Sequence, residues 1–202
     1  MKIKYIFILF CILIFTLGCT TAGTKTINVN YIGKNRIPIK ETIGISTFSD
    51  KRGAFEKGYI GKRILNSGNE ELYFVKGLDI ASTITNAFES YFIKAGSNCN
   101  RIDNFKPNIE EVKKADKKYK YIVTGDIKEF EFFASKGFIT SMILDIKLIV
   151  YLGNVEDGIL TTIPVNLNLK RKDLQFSIKS IELFINESIT EVIIKAFDSE
   201  NL

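Results

Sequence analysis

Four carboxylates are the residues of this chain whose spacing could support chemistry. Glu129 and Glu131 are two apart in a strand-like segment and share a face, while Asp126 and Asp145 fall on this segment and its neighbour. Such carboxylates can act as general acid and base or bind a cation. The nearby lysines are Lys128, Lys136 and Lys147. Because carboxylates on an exposed sheet face usually pair with lysine, we expect neither catalysis nor a metal site here.

Histidine is absent, and the chain has three cysteines. Ser-His-Asp and Cys-His nucleophiles, imidazole bases and His-containing zinc sites are therefore excluded. Cys11 lies in the apolar N-terminal run and Cys19 at its end, so Cys99 has no intrachain disulfide partner. We expect Cys99 to be a buried small hydrophobe rather than a reactive thiol. An enzyme would have to use carboxylates, lysine or tyrosine, and we predict no catalytic residue.

The segment 53–69 contains four glycines, and its first two could suggest a phosphate loop. Gly53 and Gly58 have the glycine spacing of such a loop, but Tyr59 follows where the phosphate-binding lysine would stand. We therefore predict a surface loop or an irregular hairpin, and no cofactor.

The N-terminus has the pattern of a secretory signal. Lys2 and Lys4 precede the apolar run Tyr5–Phe15, which is too short to span a bilayer well. The run leads to Gly18 and Cys19. A cysteine after a small residue resembles the lipobox of bacterial lipoproteins, and this resemblance implies cleavage after Gly18 and lipidation of Cys19.

These features divide the chain into a signal peptide 1–18, a lipidated tether 19–25 and a single domain 26–202. Thr16 stands three before the cysteine, where leucine is usual, so cleavage by ordinary signal peptidase and an uncleaved anchor stay as alternatives. Several acyl chains hold a protein at a membrane essentially permanently. Thr20 is not aspartate, which under the sorting logic of Gram-negative lipoproteins favours the outer membrane.

Composition predicts a folded domain without affinity for nucleic acid. The 202 residues are 46% hydrophobic and include sixteen Phe and eight Tyr, enough to build a core. The net charge of +5 becomes +3 once Lys2 and Lys4 leave with the signal. Basic residues alternate with acidic ones, and the run Lys113–Lys120 is interpreted as a solvated face.

In the first half of the domain, period-two alternation predicts strands at 26–32, 42–48 and 71–75. A polar turn is expected at 49–53. The first long helix is predicted at 80–95, with Asp79 as N-cap and Gly96 just past its end.

In the second half, a short helix is predicted at 108–116, with Ile109 and Val112 facing inward. Three long strands follow, at 119–133, 138–152 and 159–169. We predict a bulge between Ile127 and Phe130 in the first of them and a hairpin turn at 135–137 after it. Pro164 favours an edge position for the last strand.

A second long helix is predicted at 178–197, with Ser177 as N-cap. An antiparallel meander with one apolar face needs a cover, and this helix supplies it. The fold class predicted is α+β: a two-layer sandwich with a mixed, mostly antiparallel sheet and helices 80–95 and 178–197 on one face.

In this order of elements the chain resembles the YajG-like family of bacterial envelope lipoproteins. The segments that carry the resemblance are the lipobox, 43–48 with Asp50-Lys51-Arg52, Ile60-Gly61, 79–96 and 121–130. The same order also resembles small lipoproteins of ABC transport systems and the N-terminal halves of curli-secretion-type lipoproteins. The resemblance implies a fold and a location, and no catalytic residue.

We therefore expect a membrane-anchored, periplasm-facing module of the cell envelope that binds or assembles with a protein partner and has no enzymatic activity. The alternative is an accessory subunit of a transport or secretion complex, whose function is oligomerisation. A carboxylate- or lysine-based enzyme is a third hypothesis, from a different class.

Overall fold

The computed structural model describes residues 23–34, 38–53, 55–77, 79–135, 139–174 and 176–197. Within these ranges the chain forms nine strands and three helices, so the fold is α+β as predicted. The strands are β1 (Thr24–Ile27), β2 (Thr42–Ser46), β3 (Ser49–Asp50), β4 (Tyr59–Ile64), β5 (Glu70–Val75), β6 (Asn98–Ile102), β7 (Tyr121–Ser135), β8 (Thr140–Asn154) and β9 (Ile159–Asp173). The helices are α1 (Ile80–Lys94), α2 (Ile109–Lys114) and α3 (Ile178–Phe197).

Strand β7 organises a mixed, curled open sheet. Along one edge it pairs with β8 over its whole length, and β8 pairs in turn with β9, both antiparallel. Along the other edge β2, β3 and β4 follow one another, all parallel to β7. The sheet continues beyond β2 into β6, and beyond β4 into β5 and β1. On this side of β7 the sheet therefore divides into two branches.

The predicted mixed sheet is confirmed, and its antiparallel pairings are the C-terminal meander and the β4–β5 hairpin. Five of the eight strand pairings among the described residues are parallel, although the two longest, β7–β8 and β8–β9, are antiparallel. Hairpin spacing marks antiparallel neighbours, whereas parallel strands meet through long connections that leave no local signal. The parallel branches were therefore missed.

The buried face of the meander follows the predicted alternation. Every second residue of β8 from Met142 to Leu152 is at most 3% exposed. Helices α1 and α3 pack on this face, where the Phe92 and Phe197 rings lie 5.0 Å apart. Both predicted amphipathic helices thus share one core with the inner face of the sheet. The predicted bulge is confirmed by a register shift between Ile127 and Glu129.

Both long helices begin at their predicted N-caps, and α1 is followed by Gly96 as predicted. Asp79 Oδ1 accepts a hydrogen bond from Ser82 N at 2.7 Å, and Gly96 follows α1 with a φ of +93°, a conformation that glycine adopts easily. Ser177 Oγ accepts a hydrogen bond from Ser180 N at 3.1 Å at the start of α3. These contacts satisfy backbone groups that a helix leaves unpaired at its ends.

The predicted strand 26–32 ends at Ile27, and the chain then runs along α3. Backbone N–H groups at three alternate positions donate to helix side chains at 2.8, 2.8 and 3.1 Å. The bonds join Asn28 to Glu182, Asn30 to Asn186 and Ile32 to Thr190. Because the acceptors are four residues apart, they lie on one face of the helix. The period-two pattern was correct, but the partner is a helix.

Helix α2 covers the opposite face of the sheet, where β7 begins. Val112 is fully buried, and a Cβ added to Gly153 of β8 would lie 2.8 Å from it. Ile109 was predicted to face inward and is 51% exposed. The reason is that this helix has only six residues, so a single side chain, Val112, is buried against the sheet.

Four short strands lie where no strand, or a strand with other bounds, was predicted. β4 lies in the glycine-rich segment and pairs with β5 through a register shift between Tyr59 and Gly61, which confirms the irregular hairpin. β3 occupies Ser49–Asp50, where a turn was predicted, and β1 starts two residues before Thr26. β6 was not predicted, since its sequence NCNRI shows little alternation.

Strand β9 lies at an edge, as Pro164 predicted: within the described ranges it pairs with β8 alone. The alternation from Ile159 to Leu169 predicts one inward-facing row of side chains. Ile163, Val165 and Leu167 are buried as this predicts, but Ile159 is 55% exposed because it lies at the end of the strand, beyond the packed core. Two predictions, the turn at 135–137 and the signal at 1–18, fall wholly or largely outside the described residues. No helix in the described part of the chain is both long and apolar enough to cross a membrane.

Candidate functional site

The structure places the four candidate carboxylates on the outward face of β7 and β8. Glu131 lies directly opposite Asp145, and Glu129 lies opposite Lys147, with which it forms an ion pair. Asp126 is two rows further along β7, beyond the bulge. The predicted shared face of Glu129 and Glu131 and the positions of Asp126 and Asp145 on neighbouring strands are confirmed, and the structure adds that all four face outward.

Three of these carboxylates, Asp126, Glu129 and Asp145, each contact a polar or basic side chain on the same open face. Lys128 Nζ donates to Asp126 Oδ2 at 2.9 Å, and Asn168 donates to Asp145. The hydrogen bond with Glu129 raises the pKa of Lys147. Among the described residues no group of three or more His, Cys, Asp or Glu is arranged to hold a metal ion. This face is therefore a network of ion pairs and hydrogen bonds.

Arg52, in the predicted turn after β2, has a buried side chain whose three guanidinium nitrogens all have hydrogen-bond partners. Its guanidinium binds both oxygens of Asp50, at 2.9 and 2.8 Å. It also donates to the backbone carbonyls of Tyr59 at 2.7 Å and Phe130 at 3.1 Å. The Arg52 side chain is only 2% exposed. The hydrogen bond from Arg52 lowers the pKa of Asp50.

This arginine fills the gap between the two branches of the sheet. β3 ends at Asp50, and Lys51 N donates the last backbone bond to Ile127 O at 2.9 Å. Past this point, the Phe130 carbonyl of β7 faces Arg52 instead of a strand. The guanidinium thus continues the hydrogen bonding of β7 until β4 begins pairing at Phe132. We conclude that the Asp-x-Arg motif is structural.

The neighbouring motif Ile60-Gly61 also has a packing explanation. Ile60 is fully buried, and Gly61 has a φ of +148°. A Cβ at Gly61 would lie 1.8 Å from the carbonyl oxygen of Phe132, so any side chain here would separate β4 from β7. The preceding loop with Gly58 leads into this strand, whereas a phosphate loop leads into a helix.

A second arginine, Arg63, has an incomplete set of partners. Its guanidinium stacks on the Phe176 ring at 3.8 Å and lies 3.6 Å from Glu71 Oε2. Glu71 also accepts a hydrogen bond from the Tyr73 hydroxyl, and burial raises the pKa of Tyr73. Within the described residues the buried Nε of Arg63 has no hydrogen-bond partner. The cluster joins the β4–β5 hairpin to the chain before α3.

Two grooves lie at the end of the sheet where β7 begins. The larger, of about 550 Å³, is lined by Lys40, Glu41, Thr42, Lys117, Lys118, Tyr119, Lys120 and Glu156. Lys120 pairs with Glu156, and Lys118 lies 3.3 Å from Asp116. The other lysines of the run are exposed to solvent, which confirms the predicted solvated face. The sequence could not reveal that Lys40 joins this run across the fold.

The smaller groove, of about 210 Å³, adjoins the first at Tyr119. Its apolar walls include Ile102, Phe105 and Ile122. These side chains pack with Tyr119 and Val155 in a small hydrophobic cluster that is separate from the main core. A cationic groove beside an apolar one can bind a carboxylate-bearing chain that also offers an apolar side chain. No local pattern indicated this pair of grooves, because its residues come from four separate segments.

Cys99 lies on β6 and is half-buried, packed against the main core. Burial raises its pKa to about 11, so the thiol stays protonated at neutral pH and is a poor nucleophile. This agrees with a packing role. Gly18 and Cys19, the predicted cleavage and lipidation residues, lie outside the described residues.

No protein-family model and no curated protein matches this sequence. Among solved structures, the fold is similar to that of protein XCC0632 from Xanthomonas campestris, of family DUF330, with a TM-score of 0.50 and 11% identity over 84% of this chain and 90% of that one. Protein CT253 from Chlamydia trachomatis gives a TM-score of 0.41 at 8% identity, over 81% of this chain and 100% of that one. The PelC dodecamer from Paraburkholderia phytofirmans gives 0.39 at 9% identity, over 81% and 92%.

At these identities the likeness to XCC0632 concerns the fold alone. None of the three proteins is described as YajG-like, so that resemblance stays a prediction from the sequence. The fold is thus similar to that of a bacterial protein of family DUF330, and the function has to be argued from this chain's own residues.

Proposed function

We propose that this chain is a lipid-anchored, non-catalytic binding or assembly module of the bacterial cell envelope. Acyl chains on Cys19 hold it at a membrane, and Thr20 favours the outer membrane with the domain facing the periplasm. The observation that carries the proposal is the closeness of the anchor to the fold. Cys19 stands four residues before Gly23, whose carbonyl already accepts a hydrogen bond from Leu72 N at 3.2 Å.

The non-catalytic part of the proposal is supported by the arrangement of the carboxylates. An acid–base pair needs two environments that separate the pKa values of its members. Here Glu129 and Lys147 form an ion pair in the open, and Asp126 is bonded to Lys128 on the same face. Neither of the two grooves is lined by these carboxylates.

The proposed binding surface is the pair of grooves, which lies at the end of the sheet remote from Gly23. β7 begins at Tyr121 beside the grooves and ends at Ser135, at the level of the first strand's start. Fourteen residue steps of about 3.3 Å separate the two ends, or roughly 46 Å. A domain anchored near Gly23 would therefore present the grooves to a periplasmic protein partner.

Density-gradient fractionation of envelopes tests the anchor. Wild-type protein should migrate with the outer membrane, and the Cys19→Ala variant should appear in the soluble periplasmic extract. A Cys99→Ala variant is the matched control and should behave as wild type. Wild-type protein in the soluble extract, or Cys19→Ala protein retained in the membrane, would contradict the proposal.

The second candidate function, an accessory subunit that acts by oligomerisation, is supported by the long open edge of β9. Among the described residues this strand of 15 residues has no partner on its outer side, and an open edge can pair with a second copy. Mass photometry of the detergent-extracted full chain separates the two functions. The leading proposal predicts a monomer or weak dimer, and a ring of fixed stoichiometry would favour the accessory subunit.

A further inference from the structure

Three exposed apolar side chains lie together at one end of the sheet. Ile64 is the last residue of β4, and Ile139 and Leu174 directly flank the Thr140–Asp173 pair that closes β8 against β9. Their exposed fractions are 37%, 43% and 78%. We call this set, Ile64, Ile139 and Leu174, the apolar end.

Single exposed apolar residues are common on protein surfaces, whereas grouped ones mark sites of interaction. The register of the sheet groups these three. Ile64 is level with Ser135 of β7 and, through it, with Ser141 of β8, two residues from Ile139. Leu174 is the most exposed large apolar residue in the described part of the chain.

The chain that leads from Cys19 enters the sheet from this same side. Thr24 pairs with Leu72, which is level with Lys62 and so with Phe133 near the end of β7. Gly23, one residue earlier, is therefore level with the Ala134 position. β1 runs away from the apolar end, so Gly23 and Thr24 are the residues of this segment nearest to that end.

The length of the tether fixes how far a bilayer can be from these residues. Cys19 is four residue steps from Gly23, and a fully extended chain of four steps reaches at most about 14 Å. Ile139 lies three residue steps beyond the level of Gly23, which is about 10 Å further along the strand direction. About 10 Å of the 14 Å that the tether can reach is thus used up before the level of Ile139, so a bilayer that holds the acyl chains must lie close to Ile139.

We propose that the apolar end lies against the bilayer surface and that Leu174, with Ile139 and Ile64, inserts into its headgroup region. This inference rests on the lipid anchor at Cys19. The anchor and the apolar end then form a two-part attachment that fixes the orientation of the domain, with the grooves directed away from the membrane.

The charges beside the apolar end suit lipid headgroups. Lys170 and Lys172 of β9 are exposed within four residues of Leu174, and Asp173 lies between them and the tip. On the other side of the apolar end, Glu70 lies opposite Ile64 and is paired with Lys62. Basic side chains at the edge of an inserted apolar residue bind the phosphates of anionic lipids. The opposite end of β9 offers an internal control, since Ile159 there is also exposed, at 55%.

The chain contains no tryptophan, so one introduced tryptophan reports on a single position. Leu174→Trp and Ile159→Trp variants of the full lipidated protein would be reconstituted into vesicles of phosphatidylethanolamine and phosphatidylglycerol. The vesicles are made with and without lipid that carries bromine on its acyl chains, which quenches nearby tryptophan. Circular dichroism checks that both variants fold like the wild type.

We expect bromolipid to quench Trp at position 174, with a blue shift of its emission, and to leave Trp at position 159 unchanged. Ile139→Trp should behave like Leu174→Trp. Vesicle-bound, acylated protein without quenching at 174 would overturn the inference while leaving the anchor intact, and so would equal quenching at both positions. Protein that lacks acyl chains and stays off the vesicles would overturn the anchor and the inference together.

Discussion

Two sets of carboxylate–cation contacts lie along β7, one against its edge and one on its outward face. At the edge, Arg52 is buried and binds two backbone carbonyls in addition to Asp50. On the face, Lys147 binds Glu129 and is largely in water. Both sets pair a carboxylate with a cationic side chain, yet the first joins the branches of a sheet and the second joins two side chains.

The difference teaches that the residues with the most conspicuous chemistry in the sequence are not those on which the fold depends. A buried guanidinium whose three nitrogens all donate to carbonyls or a carboxylate is strongly stabilised by its surroundings, and removing it leaves those acceptors unpaired. An exposed pair can exchange its partner for water at little cost. The following predictions test this contrast, from the largest expected effect to the smallest.

Replacing Arg52 should have the largest effect. Arg52→Met keeps much of the aliphatic volume but leaves Asp50 and the Tyr59 and Phe130 carbonyls without their donor. We expect the free energy of unfolding to fall by about 3 kcal/mol in urea titrations. Lys147→Met is the matched control, and its urea midpoint should stay close to that of the wild type. Equal losses in the two variants would remove the contrast.

The carboxylate of Asp50, which pairs with Arg52, should make the stability of the fold depend on pH in the acidic range. Its pKa is lowered in the folded protein by the hydrogen bond from Arg52, so its contribution is present above the unfolded pKa near 4 and is lost as pH falls through the folded value. At pH values below about 4, the urea midpoint of the wild type should therefore decrease with falling pH more steeply than the midpoint of Asp50→Asn. Parallel curves for the two proteins would mean that Asp50 is not stabilised as a carboxylate.

A neutral side chain bonded to backbone should have an intermediate effect. Asn186→Ala removes the acceptor for Asn30 N, 2.8 Å away, in the ladder between α3 and the segment after β1. We expect a loss of about 1 kcal/mol, the usual net value of one hydrogen bond. Glu191→Ala on the same helix removes only an ion pair with Lys195 and should leave the urea midpoint unchanged. A larger loss of stability in Glu191→Ala than in Asn186→Ala would contradict the claim that the hydrogen bonds between α3 and the segment after β1 stabilise the fold.

The outward face should show the smallest effect. The double variant Glu129→Gln with Glu131→Gln keeps side-chain volume and removes the charges of two candidate catalytic groups. We expect an unchanged urea midpoint and unchanged partner capture from envelopes, because these carboxylates contact other side chains on an open face. Loss of capture with an intact fold would assign them a function and revive the catalytic or ligand-binding hypothesis.

The parts of the fold that local patterns specify were predictable. The inward row of β8, the bulge after Ile127 and the caps of α1 and α3 all follow from spacings within one segment. Pro164 correctly indicated an edge strand, since its missing N–H cannot serve a central one.

The rest depends on contacts between distant segments. The alternating segment after β1 meets a helix instead of a strand, and nothing in residues 28–32 distinguishes the two partners. β6 has too few apolar residues to show a period, so its place in the sheet comes from β2 alone. The Asp-x-Arg motif was visible, but the burial of Arg52 comes from β4 and from Phe130, which lies 78 residues later in the chain.

The anchor at Cys19 is the central claim, and metabolic labelling with a palmitate analogue in a bacterial host tests it most directly. The account predicts that the wild-type and Cys99→Ala proteins incorporate the label and that Cys19→Ala does not. Label that persists in Cys19→Ala, or its absence from the wild type in a host that labels its other lipoproteins, would contradict the claim.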